Sequence, residues 1–165
     1  MRGLEGMQGM RWARWLRAVY VIGFLEGTGA HAYFLASGGL HAYAYAPLPV
    51  QLLFHALLVI DPLVAVLVLR ARPVGPLLGA AVMVADLVGN WWVAWPTVTV
   101  HPLAYLRPVG LLPLTLFGAL VLLTAARLHR AFEAVHPGGR LRTRTTHRGG
   151  GAERWSVRVH GAGRR

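Results

Sequence analysis

Five ionisable side chains stand in stretches that are otherwise apolar: Glu26, His31, His55, Asp61 and Asp86. A charge near the middle of a bilayer is expensive, so each such group is a functional candidate by default. An acid beside an imidazole makes a general acid/base pair, because imidazole titrates near neutrality. Two carboxyl groups brought together in a low dielectric cannot both ionise; they share a proton, which makes a proton relay or a cation site. We take Glu26, His31, His55 and Asp86 as the candidate catalytic residues. Asp61, Asn90, Trp91, Tyr33 and Gln51 are the candidate ligand contacts.

These groups must be held by helices that cross a membrane. The 165 residues are 55% hydrophobic and only 14% charged, with a mean hydropathy of +0.47, too apolar for one soluble core. Apolar runs near 18–37, 50–69, 74–95 and 109–126 are each about 20 residues long, enough to cross a hydrocarbon core at helical rise. The expected fold is all-α: a polytopic bundle of four transmembrane helices. A basic lead-in, 1–17, carries Trp12 and Trp15 at headgroup level, the bundle fills 18–128, and a basic tail runs over 129–165. The first run is longer than the apolar core of a cleaved signal peptide, so it reads as a retained span.

Arginines flank the spans on one side only: in the lead-in, in the turn Arg70-Ala71-Arg72-Pro73 and after Arg127. The loops over 38–47 and 96–108 hold just Arg107. The positive-inside rule then puts both termini in the cytoplasm, in the plasma membrane. All 17 basic residues are arginine, which suggests the codon bias of a high-GC bacterium.

Counting from the flanking arginines gives depths. Glu26 and Asp61 each lie about nine residues in, roughly 13 Å at helical rise. His31, His55 and Asp86 lie about 14 or 15 residues in, roughly 21 Å. Asn90 is a turn beyond Asp86. The polar groups thus form two layers contributed by the first three spans, with the fourth adding only Thr115 and Thr124. Pro62 interrupts the second span: it removes a helix hydrogen bond and frees the Leu58 carbonyl toward a cavity. Gly23 and Gly27 form a small-xxx-small step that admits a close neighbour.

No cofactor is expected. The same residues could instead serve as two axial imidazoles for haem, His31 and His55, or as two imidazoles and a carboxylate for a divalent metal. Neither a haem-attachment motif nor an HxxxH spacing accompanies them. His41 and His101 fall in the outer loops. No cysteine is present, which excludes disulfides and thiolate sites. The only serines, Ser37 and Ser156, offer no nucleophile near the acids, and Gly79 and Gly89 lie inside spans rather than at a phosphate-binding turn. The arginine-rich tail suits anionic lipid headgroups. With Trp155 as its one aromatic it lacks the stacking platform of a nucleic-acid binder.

The pattern resembles the emopamil-binding, sterol-isomerase-like superfamily of four-span membrane proteins. Gly23-Phe24-Leu25-Glu26 with His31 resembles that family's first-span acid and imidazole in exchanged order. His55 falls at the second-span acid, Arg70-Ala71-Arg72-Pro73 resembles the basic turn ending in Pro, and Asp86 with Gly89-Asn90 resembles the span-three element. Phe117-Gly118-Ala119-Leu120 departs from the family's Asn and Trp in span four, and the loop between the first two spans is shorter. The resemblance implies a hydrophobic small molecule, such as a sterol, a terpenoid or a lipophilic amine, bound among the spans, with isomerase-like proton shuttling if there is turnover. From the residues alone, a proton- or ion-coupled transport component, a homodimer of such a unit, and a structural or accessory subunit are the other expectations.

Overall fold

The computed structural model describes residues 2–106 and 110–135, with side chains from residue 11 onward apart from that of Ala104. The tail from 136, including the arginines expected to meet lipid headgroups, and Arg107 lie outside the described residues. Every regular element among the described residues is helical: α1 (Arg2–Gly38), α2 (Leu48–Leu69), α3 (Val74–Val100) and α4 (Leu111–Val135), with single 3-10 turns at Gly39–His41 and Pro102–Leu106.

Each helix buries one stripe at helical spacing. On α1 it is Leu16, Tyr20 and Phe24; on α2 Val50, Phe54, Leu57, Asp61, Val64 and Val68; on α3 Gly79, Val82, Asp86 and Gly89; on α4 Gly118, Val121, Ala125, Leu128 and Phe132. Steps of three and four residues keep a stripe on one helix face. The opposite faces expose Ile22, Leu25, Leu52, Val59, Leu63, Val84, Val88, Leu116 and Leu123. A belt of that size suits hydrocarbon rather than water. By length and composition α2, α3 and α4 can each cross a membrane. The apolar run of α1 is diluted by Glu26, Thr28, His31 and its glycines, and α1 is not among them.

The helices run up and down. Gly27 of α1 faces Asp61 of α2 while His31 packs on Phe54, farther along α1 and earlier on α2. The Cβ position of Gly75 at the start of α3 lies 3.0 Å from the Leu67 and Val68 backbone at the end of α2. Trp91 meets Thr115, and His129 near the end of α4 returns to Pro73. Tyr20 of α1 reaches Val121 and Thr124 of α4, closing the ring of four.

Three helix boundaries, and the continuity of α2, differ from expectation. Helix α1 begins well before residue 18, because its buried stripe already includes Leu16. Pro62 does not interrupt α2, and Pro96 does not end α3: Thr99 donates to the Pro96 carbonyl and the His101 amide to that of Thr97, so the helix carries one further turn beyond the proline. Helix α4 runs past 128 to Val135, since Leu128 and Phe132 continue its buried stripe.

Candidate functional site

Two contacts hold α1 and α4 together. The Tyr20 hydroxyl is 2.8 Å from the Val121 carbonyl, to which it donates, and 2.9 Å from Thr124 Oγ1. One turn on, the Phe117 ring lies over Gly23 and stacks edge-on to Phe24 at 5.5 Å. Beyond that point the two helices part. The space between them is a cleft of about 440 Å³, within the usual range for small-molecule sites. Glu26, Gly27, Ala30, His31 and Phe34 of α1 form one side, and Leu111, Pro113, Leu114 and Phe117 of α4 the other. Asp86 and Asn90 of α3 and Phe54 of α2 close the back, and Tyr43 and Tyr45 cover the outer end.

Asp86, Asn90, His31 and Tyr43 are held in place by hydrogen bonds. Asn90 Nδ2 donates to Asp86 Oδ1 at 2.8 Å and to the Asp86 carbonyl at 3.0 Å, which fixes the carboxylate of a residue only 8% exposed. His31 Nδ1 and the Tyr43 hydroxyl are hydrogen-bonded at 2.8 Å. Tyr43 is 2% exposed and is ringed by His31, Phe34, Phe54 and His55 at centroid separations of 5.1 to 6.0 Å. Burial first, then Tyr45 and Asp86 beside it, pushes the Tyr43 hydroxyl up to about 12, so it stays protonated at any ordinary pH. Glu26 is exposed at the mouth.

Of the nine residues singled out in the sequence, Glu26, His31, Asp86 and Asn90 come together here. The other five do not line the cleft, each for a visible reason. His55 Nδ1 donates to the Gln51 carbonyl at 2.7 Å, and its ring abuts Tyr43 from behind. Gln51 Nε2 donates to the Ala46 carbonyl at 2.7 Å and pins the chain entering α2. Trp91 donates to Thr115 at 3.1 Å and packs on Tyr105 and Trp95, toward α4. Tyr33 is 70% exposed on the outer face of α1. Asp61, 5% exposed, points at Gly27.

The two-layer arrangement is therefore reorganised. Asp61 faces Gly27, the residue after Glu26, but does not line the cleft, whereas Glu26 does. Gly23 and Gly27 receive side chains, Phe117 and Asp61, rather than a neighbouring backbone; that close approach occurs at Gly75. The fourth helix, expected to add little, supplies the apolar wall. Among the described residues no three His, Asp or Glu side chains converge as metal ligands. His41 and His101 are exposed.

Sequence reasoning overlooked Tyr43, the most buried group of the cleft's roof, and Phe117, its hinge. Tyr43 stands in an alanine-rich connection beside Tyr45, and such an isolated aromatic pair is the one signal that it folds inward. No family model, no curated protein and no solved structure matches the chain.

Proposed function

We propose that the chain is a four-span membrane protein, both termini cytoplasmic, that binds a hydrophobic small molecule in the cleft between α1 and α4. One observation carries this: acid, imidazole and amide groups from α1 and α3 face an aromatic and aliphatic wall from α4 across about 440 Å³. A largely apolar hollow with a few oriented polar groups is the usual form of a small-molecule site. In this reading α1 is the fourth span: it lies antiparallel along α2, and two of the residues that dilute its hydropathy, Glu26 and His31, line the cleft, Glu26 at its exposed mouth. The pattern-level likeness to the sterol-isomerase-like superfamily points to sterols, terpenoids and lipophilic amines as the ligands to try. An ammonium or a developing carbocation would lie between Glu26 and Asp86, with aromatic faces around it.

Thermal unfolding of the purified chain in detergent, across those three ligand classes, tests the reading. The expected result is stabilisation of several degrees by at least one class, lost in Glu26→Gln and Asp86→Asn and kept in Tyr33→Ala and Trp91→Phe. Stabilisation that survives both acid substitutions would overturn the assignment.

A second reading draws on Asp61, which is buried on α2 and faces Gly27 of α1. Buried acids on two neighbouring helices, Asp61 on α2 and Asp86 on α3, are what a proton-coupled transporter would need. It requires flux into proteoliposomes under a pH gradient that Asp61→Asn abolishes; background flux in the wild type rules it out.

A further inference from the structure

Arg14, Arg17, Ala18, Val21 and Ile22 of α1 line a second hollow with Leu69 of α2, about 430 Å³ and separate from the cleft. Leu69 is the last residue of a helix apolar enough to cross a membrane. The hollow therefore sits where hydrocarbon gives way to headgroups. Arg14 and Arg17 lie on its headgroup side, and Val21 and Ile22 lie about one turn deeper at helical rise. The single ion pair among the described residues is His129 with Glu133 on α4. Neither guanidinium has a carboxylate partner there, so two cations face a groove that supplies no anion of its own.

We propose that this groove binds one anionic phospholipid, its phosphate held by Arg14 and Arg17 and its first acyl carbons laid against Val21, Ile22 and Leu69. A planar guanidinium fork matches a phosphate bidentately, and an arginine at a headgroup surface attracts anionic lipid. The apolar floor below the charges is what distinguishes a lipid from free phosphate. The inference rests on the chain lying in a membrane but is independent of what fills the cleft.

The test is native mass spectrometry of the full chain in detergent, titrated with phosphatidylglycerol and with phosphatidylcholine. Wild type is expected to retain phosphatidylglycerol in preference to phosphatidylcholine. Arg14→Gln/Arg17→Gln should lower that preference about thirtyfold, at about 1 kcal/mol for each arginine. Arg11→Gln, and a variant with the arginines of 140–165 changed to glutamine, should keep it. A preference unchanged in the double variant, lost in the tail variant alone, or displaced by millimolar glycerol 1-phosphate would overturn the proposal. Flotation with phosphatidylcholine vesicles reports separately on the membrane reading: a chain that does not float fails both, whereas one that floats without the lipid preference fails only the groove.

Discussion

Three residues hold unusual positions. Ala71 sits at φ 52°, the left-handed region, where it ends α2: the Arg72 amide bonds the Leu67 carbonyl and the Ala71 amide that of Val68, a Schellman closure in which glycine normally occupies the left-handed position. Ala71→Gly should raise stability by about 0.5–1 kcal/mol, read as a higher melting temperature in detergent. At Gly27, a Cβ would lie 2.7 Å from Asp61 Oδ2. Gly27→Ala should cost about 1–3 kcal/mol by overpacking, and most of that cost should vanish when Asp61 is alanine, a non-additivity that a double-mutant cycle measures. Tyr43 ionises at about 12 in the folded chain and near 10 when unfolded. The unfolded chain thus releases this proton first, so stability is unaffected below about pH 10 and falls from there to about pH 12. Melting curves over that range should show a shallower fall for Tyr43→Phe than for wild type.

Among the elements, the seam of α1 and α4 decides the cleft. Tyr20, Phe24 and Phe117 form an aromatic cluster with centroids 5.5 to 6.5 Å apart, and the Tyr20 hydroxyl adds a bond to each of two α4 groups. Tyr20→Phe removes those bonds without removing the ring, and should cost about 1 kcal/mol, the scale of interhelical hydrogen bonds in membranes. Gly23→Ala acts differently. Its new methyl group meets the outer edge of the Phe117 ring, which borders open space and can swing into the cleft. Ligand stabilisation should then weaken more than the fold does, a split visible by comparing melting temperatures with and without ligand.

At the scale of the whole molecule, the cleft lies between the first and last helices, which no direct connection joins. Exposed Glu26, Phe34 and Tyr45 stand around its mouth. His129 serves the opposite end: its Nδ1 donates to the Pro73 carbonyl at 2.7 Å and ties α4 to the turn between α2 and α3.

Much of this was legible in the residues. Apolar runs of spanning length, a basic turn with a proline, and acids at core-facing spacing determine a helical bundle with Asp61 and Asp86 inside, because in hydrocarbon the backbone must bond to itself and polar side chains must turn away from lipid. What counting along one helix cannot supply is the rotation of each helix about its own axis and the neighbour it meets. Those follow from packing: Phe117 over Gly23 splits α1 from α4, Gly27 takes in Asp61 while Glu26 lines the cleft, and Tyr43 folds inward to meet His31. Only the assembled bundle decided that Glu26, His31, Asp86 and Asn90 share one space while His55 and Asp61 stand behind it.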